Sequence, residues 1–593
     1  MIEPRIYRAA LLPAVLALVL VMFSLESRPR PVPQGLAADV VFDGDQALTT
    51  LRAQIAAGRD RRPGTVGNRA AASVVFDGLR ERGFTVAPGG FEYEGKRLVN
   101  VVGRRAGRSQ REIVVMAARD AAGVPDAAGS AADTAALLEI ARVYSGRPSN
   151  KTLVLASVDG SALGEVGTAR LADTLGDPDR VDAVIVLSGL GVPTRDRPAL
   201  VSWSNDATRA GLGLQRTAVE SLRQEVGEVA EGAGPAGQLA RLAFPVGVGA
   251  QGVLLGRGYD SVRISGNGEL SASGRVEPAD VDRDRLEGLG RATLRALTAL
   301  DAAPPPERGP ETYVTVVSQV LPGWVLSVLA FTLILPALVA SVDAFARARR
   351  RGVPVGPWLI WVGSGVAALG LGLGVAYVLA LAGAVPGPPQ APVDPAAFPL
   401  DLAAAAVLAG VAVVVVPVWW ALRRLVVARE PDLGDPSAPG ASVAVAVVLS
   451  ASLLVLWLLN PFAALVCVPA LHLWLLGTLV DPLPPGRARI VMVLAGLLLP
   501  ALVASYYLVV LSTDPLSGAW YLLLLVTGGH VGTLTALAAA ALLAVLVAVI
   551  AIVRSGPPPQ PEKAGPVAAS VRGPAGYAGP GSLGGTESAL PRR

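Results

Sequence analysis

The sequence predicts two joined parts. One is an α/β extracytoplasmic domain with a mostly parallel sheet between helices. The other is an α-helical transmembrane bundle, about eight spans in all. Three observations carry this. Mean hydropathy is +0.51 and 52% of the 593 residues are hydrophobic, too apolar for an ordinary soluble chain. The apolar residues crowd into residues 320–553. Residues 38–305 instead alternate short apolar runs with amphipathic stretches, the mark of a parallel sheet covered on both faces.

At the amino end, Arg5 and Arg8 precede AALLPAVLALVLVMFSL, residues 9–25. This is a membrane anchor with residues 1–8 cytoplasmic, the alternative being a cleaved signal peptide. In the α/β domain, strands are expected at 98–103, 112–118, 152–158, 182–188, 199–203, 252–255 and 261–264. Helices are expected at 44–58, 68–83, 130–145, 164–175, 207–225 and 279–301. Ligands gather at the carboxyl ends of such strands, in loops 118–130, 159–164 and 188–193. Pro304, Pro305 and Pro306 end the domain. Spans follow near 320–342, 357–383, 401–422, 441–460, 461–480, 488–511 and 530–553. Residues 518–529 are short enough to be re-entrant or interfacial. The Pro/Gly/Ala-rich tail, 555–593, is expected to be disordered and cytoplasmic.

Arginines test this topology. Arg347, Arg349, Arg350, Arg351, Arg423, Arg424, Arg429, Arg487, Arg489 and Arg554 all fall on one side. By the positive-inside rule that side is cytoplasmic. The protein is therefore expected in the cell membrane, multi-pass, with both termini inside and residues 26–315 outside. Three lysines against abundant Arg, Ala, Gly and Pro is the bias of a GC-rich bacterial genome. A net charge of +4 carries no nucleic-acid footprint. Cys467 stands alone, so no intramolecular disulfide forms. His472 and His530 lie in or beside spans. They read as neutral imidazoles bonded to neighbouring helices or placed at the interface, since no span carries the acidic or basic run of an ion pathway.

Several segments resemble the M28 zinc aminopeptidases. They are RRPGTVGNRAAASVVFDGLRERGFTV, LVNVVGRRAG with EIVVMAARDAAG, GSAADTAALLEIARVY, TLVLASVDGSALGEVGTARLA, DAVIVLSGLG and GVLLGRGYDSVRIS. The family site is a pair of zinc ions with bridging water and a glutamate that moves the proton. By this resemblance the first ligand histidine falls on Ala118 and the bridging aspartate on Gly129. The catalytic glutamate falls on Ser161 and the ligand glutamate on Ala162. The next carboxylate falls on Ser188 and the last histidine on Gln251. Asp120, which orients the first histidine in the family, is retained with nothing to orient. The layout of anchor, M28-like domain and helical bundle also resembles the Gaa-type subunit of the GPI transamidase and membrane-bound M28 peptidases.

Independently of any alignment, neither histidine nor the cysteine lies in residues 38–305. Zinc is seldom held by carboxylates alone, so no metal or other cofactor is expected. Asp120, Asp126, Asp133, Asp159, Ser161 and Ser188 are candidate residues of a cleft rim. The aspartates there read as helix caps and turn residues, with a hard-cation site as the alternative. Ser161 as a nucleophile lacks a base other than Lys96 or Lys151. The expected function is that of an inactive M28-like membrane protein. Its cleft would bind a peptide, a lipid-linked substrate or a partner protein, as a subunit of a membrane complex. A hydrolase with an unrecognised site, and a transport or lipid-handling protein with an accessory domain, are the alternatives.

Overall fold

The computed structural model describes residues 4–33, 42–270, 275–387, 390–480 and 482–556. The tail beyond Gly556, residues 1–3 and the expected domain start at 38–41 lie outside the described residues.

The chain begins with α1 (Pro4–Ala9), α2 (Leu12–Phe23) and β1 (Glu26–Ser27). The α/β domain follows: α3 (Gly44–Ala57), α4 (Val66–Glu81), β2 (Thr85–Tyr93), β3 (Lys96–Arg105), β4 (Glu112–Ala118), α5 (Ala132–Tyr144), β5 (Thr152–Val158), α6 (Val166–Leu175), β6 (Val181–Ser188), β7 (Ala199–Val201), α7 (Leu212–Val226), α8 (Pro235–Ala243), α9 (Ala250–Gly256), β8 (Ser261–Ser265) and α10 (Arg283–Ala302). Then come β9 (Tyr313–Val316) and β10 (Gln319–Pro322). The helical part comprises α11 (Gly323–Arg350), α12 (Gly356–Leu381), α13 (Leu402–Arg429), α14 (Pro439–Leu459), α15 (Pro461–Leu479), α16 (Gly486–Val510), α17 (Pro515–Thr527) and α18 (Thr533–Ser555).

Seven strands form one sheet in the order β2-β3-β5-β4-β6-β8-β7. The central four, β5, β4, β6 and β8, are parallel. β3 and β7 flank them antiparallel, and β2 pairs antiparallel with β3 at the edge. Alternation along β4 divides the core. Ile113, Val115 and Ala117 pack with α3, α4, α5, α7 and α10. Val114 and Met116 pack with Leu171 and Leu175 of α6 and Leu254 of α9 on the other face. Both faces are covered, so the strand ends are where polar chemistry must sit.

Residues 252–255, expected as a strand, form part of α9. The apolar run is too short for its period to decide, and flanking helix α6 gives it a helical partner. The expected helix 207–225 starts at Leu212, behind Gly211.

Among the described residues seven helices, α11 to α16 and α18, are long and apolar enough to cross a membrane. An eighth was expected at 9–25. There the helix breaks ahead of Pro13, whose missing N–H cannot continue the ladder. It leaves α2 with 12 residues, about 18 Å against a hydrocarbon core of about 30 Å. Both α1 and α2 lie against α11. The 13-residue α17 is also shorter than a bilayer. Glu26 pairs with Val320, so β1, β10 and β9 form a small sheet. The two chain segments that join the α/β domain to the helices therefore meet at one end of the bundle.

Candidate functional site

β4, β5 and β6 end side by side, and the residues that follow them build the strand-end face. Two buried arginines underlie it. Arg119, the residue after β4, is fully covered. It donates to the Val99 carbonyl at 2.5 Å, to Asn68 at 3.1 Å and to Ser157, and pairs with Asp159 at 3.5 Å. Arg61 donates to the carbonyls of Arg119 at 3.1 Å and Asp126 at 2.6 Å. Together they pin loop 119–126 to the sheet.

The carboxylates above them are turned to backbone amides. Asp120 accepts from Ser161 N, Ser161 Oγ and Ala162 N, each at 2.9 Å. Asp133 accepts from Gly189 N and Leu190 N, both at 2.9 Å, and so fixes the turn after β6. Asp126 caps the turn before α5 through Gly129 N at 2.9 Å and Ser130 N at 3.0 Å. Asp159 accepts from Asn68 at 2.7 Å and Val99 N at 3.1 Å. Burial pushes the Asp120 carboxyl up to about 6, with Asp159 adding to the effect. Burial likewise pushes Asp133 up to about 7, against its two amide bonds.

The expected rim is thus not an open one. Asp120 is 2% exposed, Asp133 4% and Asp159 1%. A covered carboxylate needs donors, and the nearest are the amides of the adjoining turns. Ser161 spends its hydroxyl on Asp120. Ser188 ends β6, and its carbonyl accepts from Gly266 N at 2.9 Å. Lys151 offers Ser161 no base. It sits before β5, at the opposite end of that strand, bonded to Leu300 O and Asp182.

The positions that the resemblance assigns to zinc do not fit the metal. Ala118 presents a methyl group, and its carbonyl accepts from Thr134 Oγ1 at 3.1 Å. At Gly129 an added Cβ would lie 2.3 Å from Asp126 Oδ1, so the Asp126 cap occupies the room a bridging carboxylate would need. Ala162 gives only its amide. Gln251 is buried, its amide bonded to Val248 O at 3.0 Å and Trp203 O at 3.4 Å. Among the described residues no group of three or more His, Cys, Asp or Glu is placed to hold a metal ion.

Sequence reasoning missed Glu165, Arg263, and the reach of the helical part. Glu165 has a left-handed backbone, φ 64°, a costly conformation for a side chain of this size. It accepts from Thr168 at 2.7 Å. It is half-buried, and burial pushes its carboxyl up to about 7. Arg263 and Asp120 are its charged neighbours. Arg119 had a visible signal, an arginine directly after an apolar strand and beside Asp120 in VVMAARDAAG. Arg61 and Glu165 had none.

The loop between α12 and α13 touches this face at one edge. Ala391 N donates to Gly164 O at 3.0 Å, and the buried Ala391 packs on Ala169 and Val253. Tyr521 of α17 holds the same loop through Val393 O at 2.8 Å. Beside it, at His530, about 20 Å³ of space remains, room for a water and little more. Further along, Arg241 of α8 bonds Glu269 at 2.9 Å and Tyr506 of α16 at 3.0 Å. Asn460, at the start of α15, donates to Leu242 O at 2.9 Å. His472 bonds Tyr7 and, at 3.0 Å, Leu333 O, which ties the first helices to α15 and α11.

No family model matches the sequence, and no curated protein matches it. Solved structures do align with the α/β domain. A zinc aminopeptidase from Bacillus subtilis matches with a TM-score of 0.37 and 12% identity, over 45% of this chain and 98% of its own. A Zn-dependent exopeptidase from Parabacteroides distasonis gives 0.35 and 18%, over 45% and 99%. A glutaminyl cyclase from Porphyromonas gingivalis gives 0.32 and 17%, over 43% and 98%. Scores below 0.5 carry no conclusion about activity. The chain has a mixed α/β domain with neighbours of zinc-exopeptidase and glutaminyl-cyclase type, followed by seven apolar helices of membrane-crossing length.

Proposed function

We propose that this protein is a non-catalytic membrane component: an M28-like domain without a zinc site, seated on a multi-pass bundle and working as a subunit of a membrane complex. Its partner is a peptide, a lipid-linked substrate or another membrane protein, an arrangement like that of the Gaa-type subunit whose layout it shares. The α/β domain lies outside the cell membrane and both termini lie inside, on the strength of the arginine distribution. The observation that carries the reading is the use of the strand-end carboxylates. Asp120, Asp126 and Asp133 spend their oxygens on backbone amides, at the place where a hydrolase presents ligands and base.

The loop at Ala391 meets this face at Gly164, Ala169 and Val253, so a partner that reaches the strand ends meets the loop as well.

The test uses the full chain purified in detergent without chelators. Metal analysis is expected to find zinc far below one per chain, with no turnover of aminoacyl-peptide or ester substrates. Stoichiometric zinc with turnover would overturn the reading. Native-gel mobility of the chain from its own membranes should correspond to a larger particle than the purified chain. Equal mobility would sink the subunit role.

A further inference from the structure

A second polar site lies at the end of the bundle away from the α/β domain. There α11, α14, α15 and α18 surround a cavity of about 320 Å³, within the lower range of ligand sites, about 300–1,000 Å³. Arg347, Arg351 and Arg489 line it. Arg489 is the telling residue. It stands in the first turn of α16 and is 2% exposed. Its Nε donates to Gly477 O at 2.9 Å and its Nη2 to Ile552 O at 3.0 Å. Among the described residues, no hydrogen-bond partner falls to Nη1 and no carboxylate pairs with the guanidinium. A buried guanidinium without a counter-charge is costly, and an anion in the adjoining cavity removes that cost.

The remaining lining agrees in sign. Ser442 and Pro439 belong to the first turn of α14. That helix start has no side-chain cap, so its positive end is open to an anion. Acidic groups of this end among the described residues have partners of their own. Asp343 is engaged by Arg347, and Asp435 accepts from Ser437. The rest of the wall is apolar, with Val443, Leu479 and Ile552. A cavity basic on one side and apolar on the other fits an amphiphilic anion.

We propose that this cavity binds a phosphate ester, its charge met by Arg489, Arg347 and Arg351 and by the start of α14. Arginine donors and an open helix start match the several oxygens of phosphate. At the polar boundary of a bilayer, basic pockets between helices take anionic lipid head groups. The inference is independent of whether the α/β domain has activity.

The experiment measures thermal unfolding of the full chain in neutral detergent. Dioleoylphosphatidylglycerol, dioleoylphosphatidylcholine and inorganic phosphate are titrated separately. Half-maximal stabilisation is expected at a concentration at least tenfold lower for phosphatidylglycerol than for phosphatidylcholine. Arg489→Gln should weaken the phosphatidylglycerol effect at least tenfold. Should that variant fail to fold, Arg351→Gln, exposed at the cavity mouth, should weaken it at least threefold. Stabilisation by phosphatidylglycerol but not by phosphate makes the source a lipid. Stabilisation by millimolar phosphate alone, lost in the same variants, makes it a soluble phosphate ester. Both outcomes sustain the site. Equal effects of the two lipids with none from phosphate overturn it, as does selectivity that survives in the folded variants.

Discussion

Replacing Asp120 by alanine separates a capping aspartate from a metal-site aspartate. The substitution removes the acceptor for Ser161 N, Ser161 Oγ and Ala162 N. Two of these are backbone amides on a covered turn. Leaving them without partners costs about 1–3 kcal/mol each, so a total of about 2–4 kcal/mol is expected at pH 5 after partial relaxation. The carboxyl itself changes this with pH. Its folded pKa, about 6, lies above the ordinary 3.8 because burial dominates. A carboxyl shifted upward binds its proton more tightly in the folded state, so wild-type stability falls as pH rises through this range and levels off above about 6. From pH 5 to pH 8 the loss is about 1.4 kcal/mol for this one group.

Asp120→Ala is free of that loss. Its penalty relative to wild type should therefore shrink from about 2–4 kcal/mol at pH 5 to about 1–3 kcal/mol at pH 8. The corresponding narrowing of the melting-temperature difference is about 3–5 °C for a domain of this size. Other raised carboxyls, such as Asp133 and Glu165, are present in both proteins and cancel. The assay is thermal unfolding of the full chain in detergent at the two pH values. A penalty that grows toward pH 8 would refute the reasoning. That sign means a carboxylate held ionised by a nearby cation, as in a working metal centre.

Three further outcomes are expected. Wild-type melting temperature should rise as pH is lowered from 8 to 5, because Asp133 and Glu165 at about 7 and Asp260 at about 6 all take up protons in the folded state; a fall over that interval would contradict it. Gly129→Asp combined with Ala118→His should not restore zinc by metal analysis, and the Gly129 change alone should cost about 1–2 kcal/mol or more by displacing the Asp126 cap. Arg241→Met should cost about 3–5 kcal/mol by stranding Glu269, and Arg241→Met with Glu269→Met much less; equal losses in a denaturation series would mean that the pair itself holds the domain on α16.

The central strands were legible because β4, β5 and β6 are uninterrupted apolar runs, and only a sheet covered on both faces asks for that. β2 was not legible. TVAPGGFEY carries Pro88, Gly89 and Gly90 in its middle and reads as a turn, yet it pairs with β3 along its whole length. It lies at the sheet's edge and is largely exposed, where proline is tolerated. Pro13 marked a possible break before it, but Pro336, Pro417, Pro469 and Pro500 lie inside continuous helices, so proline alone did not decide the point. At the site, the lack of histidine and cysteine in residues 38–305 was legible. The destinations of the carboxylates were not. Whether Asp133 faces a ligand or the amides of Gly189 and Leu190 depends on a turn 56 residues away, and no local pattern encodes that. The contacts of Arg241 with Tyr506 and of Asn460 with Leu242 span more than 200 residues each.

A carboxylate buried at these strand ends must either find amide donors or take up a proton. Asp120 and Asp133 do the first and are drawn toward the second. Glu165, with one hydroxyl donor, has its carboxyl pushed by burial to about 7, level with Asp133. The loop at Ala391 is held from below by Tyr521, and α8 is held by Tyr506 and Asn460.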